Sequence, residues 1–275
     1  MTAVTESPSA RRIRRGGVRS LWAGNPQAVV ERGVRSARSG NLAVVVSGFF
    51  EPVLYLASMG IGLESLIGNV AFGGHDVSYA AYIAPALLAV SAMNGAIYDS
   101  TWNVFFRMNY GKLYEGMLAT SLGPLDVALG EILYALLRGL VYATGFMIIM
   151  QVLGLNLAWT ALLALPAVTL IAFGFASLGM AVTSYMKTFQ QMDWINFVLL
   201  PMFLFSATLF PITQYPGWVQ GVIQAFPLWH GVELVRGLTT GILSPAMWGH
   251  VAYYLVMIAV GLLFTTKRLR ALFLD

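Results

Sequence analysis

The sequence predicts an all-α integral membrane protein with six transmembrane helices, an N-terminal interfacial amphipathic helix and an external re-entrant helical hairpin before the last span. Three observations support this prediction. Of the 275 residues 58% are hydrophobic and only 10% are charged, whereas a soluble domain carries roughly 25% charged residues. Six apolar segments approach the roughly 20 residues that a bilayer crossing needs. Lysine and arginine collect at the same side of these segments, which is typical of cytoplasmic loops.

Composition excludes several classes of chemistry. The chain has no cysteine, so disulfides, thiolate catalysis and cysteine-ligated zinc are excluded. The three histidines are scattered along the sequence and predict no metal cluster. The net charge of +4 comes mostly from the first 38 residues and the last nine, where basic residues set membrane topology rather than bind nucleic acid. We therefore expect no bound cofactor, no metal and no nucleic-acid partner.

The N-terminal region divides into two parts. Residues 1–24 hold five arginines among small and polar residues, which predicts a disordered basic cytoplasmic arm. In residues 25–40, Val30, Val34 and Ala37 recur at helical spacing among charged residues, which favours an amphipathic helix on the inner membrane surface. The alternative is that this stretch only extends the disordered arm.

The six predicted spans form one domain, residues 41–267, which a cytoplasmic tail of residues 268–275 follows. Eight of the sixteen lysines and arginines precede the first span, and the connecting segments 64–79 and 153–158 contain none. Both termini are therefore predicted to be cytoplasmic. The predicted spans are 42–63, 80–104, 127–152, 159–184, 193–210 and 247–266.

The segment 211–240 does not have the pattern of a crossing. Prolines interrupt it three times, and each one ends or kinks a helix because it removes a backbone donor. The apolar runs between them are about half the roughly 20 residues of a span, which favours short helices that enter from outside and return. The candidate residues of this re-entrant segment are Pro211, Pro216, Trp218, Pro227, Glu233 and Arg236.

Four ionisable residues, Glu51, Asp99, Glu131 and Arg138, lie within the predicted spans. A charge at membrane depth is costly and usually has a partner or a function. Glu131 and Arg138 lie two helical turns apart on one face, so they could pair with each other or bridge to another subunit. Alternatively, Glu131 lies solvated at the cytoplasmic interface and only Arg138 enters the bundle.

The inner loop between the second and third spans mixes charged and aromatic residues with apolar residues at helical spacing. This pattern predicts a short amphipathic helix that either docks a cytoplasmic protein or lies at the lipid head groups. Tyrosine, methionine and arginine are enriched in protein interfaces, which favours docking. The candidate docking residues are Arg107, Tyr110, Lys112, Leu113, Tyr114 and Glu115.

The chain carries no phosphate-binding loop of its own. A lysine follows a glycine only at Gly111 and Lys112, and Leu113 occupies the position where such a loop needs serine or threonine. Neither a G-x-S-x-G elbow nor an H-E-x-x-H motif occurs. We therefore expect no catalytic residues and no ATP hydrolysis by this chain alone.

The ordered set of elements resembles the ABC-2 type export permeases, in particular the branch that exports nodulation factors and daunorubicin. The resemblance covers residues 25–270. Two positions depart from the pattern, because Ser121 stands where the branch usually has proline and Ala86 where it has glycine. The residues that carry the resemblance are Glu51-Pro52, Gly60 to Leu63, Tyr82 to Pro85, Ser91 to Met93, Arg107-Met108, Tyr114-Glu115, Thr120 to Leu122, Gly130-Glu131, Phe210-Pro211, Pro227-Leu228 and Arg236-Gly237.

The resemblance implies a function in the bacterial plasma membrane. Two such permeases would pair as a homodimer or a paralogous heterodimer, with spans one and five meeting across the interface. Two cytoplasmic ABC ATPase subunits, which carry the ATP and Mg²⁺, would dock on the inner loop and the interfacial helix. The substrate would be an amphiphilic, lipid-linked or drug-like molecule that moves outward. The first rival hypothesis is a proton-coupled secondary carrier, and the second is a membrane enzyme that processes lipids.

Overall fold

The computed structural model describes residues 24–38, 50 and 52–273. Most of the predicted N-terminal arm, the beginning of the first predicted span, Glu51 and the last two residues of the tail lie outside the described residues. Within them the chain is mostly helical. The helices are α1 (Pro26–Arg38), α2 (Pro52–Ile67), α3 (Tyr79–Asn109), α4 (Leu113–Leu118), α5 (Pro124–Val152), α6 (Trp159–Thr183), α7 (Asp193–Leu204), α8 (Gly217–Ala225), α9 (Pro227–Thr240) and α10 (Met247–Phe273).

Four helices of the described part of the chain, α3, α5, α6 and α10, are long and apolar enough to cross a membrane. Helix α3 is the centre of the bundle. Its first fifteen residues are all buried, because α2, α5, α6 and α9 pack around it. Six of these fifteen residues are alanines, and small residues let neighbouring helices approach closely in a membrane, which suits α3 to its central position.

The helix ends follow local sequence signals. Ser78 begins α3, and its hydroxyl accepts a hydrogen bond from the backbone N–H of Ala81 at 3.3 Å. Pro124 occupies the first turn of α5, where its missing N–H costs nothing. Asp126 accepts the backbone N–H of Gly123 at 2.9 Å. Gly241 follows α9 with a φ of 80°, a left-handed conformation that glycine adopts without strain.

Helix α7 is shorter than predicted. The sequence predicts a span over 193–210, but α7 ends at Leu204 after 12 residues, a length of about 18 Å at 1.5 Å per residue. Beyond it the hydroxyl of Ser206 donates to the carbonyl of Met202 at 2.5 Å, and that of Thr208 donates to the carbonyl of Phe203 at 2.6 Å. These hydroxyls satisfy carbonyls that a continuing helix would use, which allows the chain to turn.

A β-hairpin interrupts the otherwise helical fold, contrary to the all-α prediction. Strands β1 (Asn69–Phe72) and β2 (His75–Ser78) pair in an antiparallel register with Phe72 opposite His75. Gly73 and Gly74 both have positive φ, as the tightest hairpin turns require. The hairpin leads directly into α3 and lies against Ile242. A Cβ added at Gly73 would lie only 2.5 Å from Cγ2 of Ile242, so the hairpin packs closely at this glycine.

Helices α6 and α10 approach each other closely through glycine. A Cβ added at Gly261 of α10 would lie 2.6 Å from the backbone carbonyl carbon of Ser177 in α6. Gly249, on the same helix, has no atom within 4 Å of the corresponding position. Small residues that allow two backbones to approach are typical of helix interfaces in membranes, so Gly261 sets the distance between α6 and α10.

We therefore expect Gly261→Ala to destabilise the protein by about 1–3 kcal/mol, the usual effect of overpacking a close contact. The matched variant Gly249→Ala should be neutral or more stable by up to roughly 1 kcal/mol, because alanine favours helix over glycine. Thermal unfolding of both purified variants in detergent measures the difference. Equal midpoints for the two variants would contradict the assigned role of Gly261.

Candidate functional site

Helix α1 lies against the first turns of α5. The side chain of Val29 is buried in this contact, and a Cβ at Gly130 would lie 2.5 Å from the Cβ of Val29. The carboxylate of Asp126 accepts the backbone N–H groups of Gly24 and Asn25 at 3.1 and 3.0 Å. One acidic residue thus caps α5 and also holds the chain where it enters α1.

The carboxylate of Glu131 joins three helices. Its Oε1 accepts a hydrogen bond from Nη2 of Arg32 in α1 at 2.7 Å, and its Oε2 pairs with Nη1 of Arg107 near the end of α3. The side chain of Glu131 in α5 is only 3% exposed. The guanidinium of Arg107 also lies 5.9 Å from the ring centre of Tyr134. We call Arg32, Arg107 and Glu131 the inner charge cluster.

The predicted docking residues fall into two groups, one exposed and one buried or partly buried. Helix α3 ends at Asn109, and Lys112 adopts a left-handed φ of 45° before α4 begins at Leu113. Tyr110, Lys112 and Glu115 are exposed, and Leu113 is partly buried.

Tyr114 is completely buried, so in this conformation it does not reach a partner, and its predicted direct contact is wrong. Its hydroxyl has no hydrogen-bond partner among the described residues. This burial raises the pKa of Tyr114 well above its usual value near 10.

The intramembrane charges pair differently from the prediction. Oδ1 of Asp99 lies 2.5 Å from Nη2 of Arg138, and Asn103 donates to the same carboxylate at 2.6 Å. The predicted pair between Glu131 and Arg138 is therefore wrong, because each residue has another partner. The alternative of a solvated Glu131 is also wrong, since its carboxylate is buried.

A cleft of about 820 Å³ opens between α2, α3, α5 and α7. Arg138 reaches it from α5, and Asn94 and Asn196 contribute amide groups from facing helices. Aliphatic and aromatic side chains form the remaining walls. The lining residues are Pro52, Tyr55, Leu87, Val90, Ser91, Asn94, Gly95, Ile97, Tyr98, Trp102, Arg138, Tyr142, Ile195, Asn196, Leu199, Leu200 and Phe203.

The segment 211–240 contains the predicted short helices. Helix α8 begins directly after Pro216, and α9 begins at Pro227. Trp218 is exposed, and Pro211 precedes a single helical turn, Ile212–Gln214. The segment therefore breaks at the three prolines.

Arg236 of α9 is a fully buried cation. Its Nε donates to the carbonyl of Tyr82 at 3.1 Å, its Nη2 donates to the carbonyl of Ala207 at 2.9 Å, and its Nη1 contacts Glu233 at 2.8 Å. Its guanidinium also lies 3.8 Å from the ring centre of Tyr82. Arg236 thereby links α9 to the beginning of α3 and to the turn after α7.

One cluster escaped sequence reasoning. Nδ1 of His230 in α9 lies 2.7 Å from Nδ1 of His250 in α10, and the ring of His230 stacks on Tyr253 with centres 4.0 Å apart. The two histidines are twenty residues apart in sequence. The prolines predicted short helices in this segment, but nothing in the sequence pattern indicates how α9 and α10 are oriented toward each other.

Comparison with known proteins agrees with the predicted family. The family described as ABC-2 type transporter matches residues 27–240. The chain is 33% identical over 258 residues to nodulation protein J of Rhizobium leguminosarum bv. viciae, covering 92% of this chain and 98% of the relative. It is 32% identical over 214 residues to nodulation protein J of Bradyrhizobium diazoefficiens, covering 77% of this chain and 80% of that relative.

These matches extend over most of the chain and include the inner charge cluster, the cleft and the segment 211–240. They confirm the resemblance drawn from the sequence. Members of this family are membrane components of transporters, and the family implies an ABC ATPase as partner. The chain belongs to the ABC-2 type transporter family.

Proposed function

We propose that this chain is the permease subunit of an ATP-driven exporter, which moves an amphiphilic, lipid-linked or drug-like molecule outward across the bacterial plasma membrane. The observation that carries the proposal is the inner charge cluster, in which one buried carboxylate links the interfacial helix, the central helix and the beginning of α5. Two ABC ATPase subunits would bind ATP and Mg²⁺ and dock beneath it. ATP and Mg²⁺ belong to those partners.

The docking surface consists of the exposed residues between α3 and α5. Tyr110, Lys112 and Glu115 are exposed and would present an aromatic ring, a cation and an anion to the cytoplasm, a mixture that suits a polar protein interface. Arg107 and Tyr114 lie behind this surface and hold it in place. The buried Tyr114 anchors α4 against the bundle, and Arg107 fixes the end of α3.

The inner charge cluster gives the docking surface a rigid connection to the bundle. Glu131 is almost inaccessible to water, and separating a buried carboxylate from its cation is costly because nothing else neutralises it. The end of α3, α1 and the start of α5 would therefore move together. ATP drives this movement only if it binds one arrangement of the ATPases more tightly than the other.

The cleft is the proposed substrate path. Its aliphatic walls suit an acyl or ring system, and Asn94, Asn196 and Arg138 offer polar contacts to a head group. Among the residues of α7 only Met202 is buried, so the described part of the chain leaves most of this apolar helix uncovered. A second permease, identical or paralogous, would cover α7 and close the cleft.

We further propose six crossings with both termini in the cytoplasm. Helices α2 and α7 would provide the first and fifth crossings together with their flanking residues, and segment 211–240 would enter from outside. The proline breaks before α8 and before α9 support re-entry, because broken backbone at membrane depth needs protein around it. Arg236, buried at the outer end of α3, provides such surroundings.

The ion pairs favour an ATP-driven permease over a proton-coupled carrier. A carrier needs carboxylates that gain and lose protons during transport. Asp99 and Glu131 are each ion-paired with arginine side chains, so protonation of either carboxylate would break an ion pair that is largely buried. A membrane enzyme that processes lipids has no comparable support.

The first prediction concerns docking. Glu115→Arg should reduce recovery of the ATPase with the tagged permease at least tenfold, because it reverses a charge on the exposed docking surface. The variant should still reach the membrane at the wild-type level, since Glu115 supports no buried contact. Co-purification from membranes measures both quantities. Asp76→Arg, an exposed charge reversal in the β-hairpin, is the matched control, and equal ATPase recovery from both variants would rule out this docking surface.

The second prediction concerns the connection, through Glu131, between α1 and the docking surface. Spin labels at Arg35→Cys and Lys112→Cys, in this cysteine-free chain, should give one narrow distance distribution by pulsed electron paramagnetic resonance. Glu131→Gln should broaden that distribution, because α1 and α3 lose their shared anion. Asp99→Asn breaks a different buried ion pair and should leave it narrow. Dilution with unlabelled protein removes distances between subunits. The same distribution in both variants would refute the connection.

The third prediction concerns topology. Single cysteines at Gln214 and Ser244 should react with a membrane-impermeant thiol reagent in intact cells, since both positions are exposed and would lie outside. A cysteine at Ala271 should react only after the cells are opened. Labelling of Ala271→Cys from outside would establish an additional crossing and overturn the proposed re-entry.

A further inference from the structure

A second groove, of about 510 Å³, lies between α1 and α5. Its floor is a row of leucines on α5, its rim is the side of α1, and one threonine of α6 closes its far end. The hydroxyl of Thr169 donates to the carbonyl of Leu165 at 2.9 Å, so the threonine offers no free donor there. The lining residues are Gln27, Val30, Glu31, Leu133, Leu136, Leu137, Leu140 and Thr169.

The groove runs from α1 along α5 toward the middle of that helix. Leu133 and Leu140 are seven residues apart, about 10 Å along the axis at 1.5 Å per residue. Half of a bilayer's hydrocarbon core measures about 15 Å. A groove with apolar walls that begins at an interfacial helix and ends near mid-membrane has the position and most of the length of one acyl chain.

Glu31 of α1 lines the groove, and Arg35 lies one helical turn further along α1. Glu31 and Arg35 form an ion pair at 3.3 Å, and their side chains are 67% and 79% exposed. Arg32 points away from the mouth, because it pairs with Glu131. An exposed ion pair of this kind contributes little stability, so a ligand that carries both charges can replace its internal contact.

We propose that this groove binds a phospholipid with an ethanolamine head group from the cytoplasmic leaflet. One acyl chain lies along Leu133, Leu137 and Leu140. The phosphate accepts hydrogen bonds from Arg35, and the ammonium group donates to Glu31. The site goes beyond the proposed export function, since it needs neither substrate nor ATPase, although it uses the cytoplasmic placement of α1. A bound lipid there fills the space beside α1.

Native mass spectrometry tests the proposal on the full chain in nanodiscs with equal amounts of phosphatidylethanolamine and phosphatidylglycerol. We expect wild-type protein to retain one phosphatidylethanolamine per chain after removal of the surrounding lipid. Leu137→Trp fills the groove and should reduce this retention at least fivefold. Leu255→Trp, at an exposed leucine of α10, should retain the lipid as wild type does.

A second pair of variants tests the head group. Glu31→Lys should reduce phosphatidylethanolamine retention, whereas Asp76→Lys, far along the chain on the β-hairpin, should not. Equal retention by Leu137→Trp and Leu255→Trp would overturn the site, and retention of phosphatidylglycerol in place of phosphatidylethanolamine would overturn the assigned head group. Retention that begins only after deletion of residues 1–23 would mean that the chain's own N-terminal segment occupies the groove, which also overturns the proposal.

Discussion

The arrangement of α1, the start of α5 and the end of α3 depends on one buried carboxylate. Glu131 lies near the start of α5, where water is excluded, and a buried charge must be paired to be tolerated. Arg32 and Arg107 supply that pairing from α1 and α3. Both helices must therefore stay within reach of α5, and the position of the loop after Arg107 follows from this requirement.

A comparable constraint operates at the opposite end of α3. Arg236 is buried beside Tyr82, near the first turn of that helix, and satisfies carbonyls of two other segments. The central helix is thus fixed near its first turn by Arg236 and near its last turns by Glu131. Helices α2 and α7 lack such anchors in the contacts described above. Among the described walls of the cleft, α3 and α5 are joined to each other by ion pairs.

Much of this fold can be predicted from the sequence. Apolar length predicts the helices α3, α5, α6 and α10, and prolines predict the breaks at α8 and α9. The end of α7 could not be predicted, because the sequence stays apolar to Phe210 and only the hydroxyls of Ser206 and Thr208 allow the turn. The β-hairpin had a readable signal in Gly73-Gly74. The ion-pair partners of Glu131 and Arg138 could not be predicted from the sequence. Helical spacing places these two residues on one face of α5, but it does not show which charged residues of other helices lie beside them.

Irregular helix geometry occurs on both sides of the cleft. Helix α2 contains a π-helical stretch at Leu56–Ile61, and α3 contains another at Asp99–Asn103. Such stretches are frequent at functional sites and widen the local backbone. The stretch in α3 carries Asp99, which pairs with Arg138 at the cleft wall, and Trp102, which lines it. In the proposed exporter, a shift of the inner end of α3 would therefore reach the cleft through this stretch, because the outer end of the helix is held by Arg236.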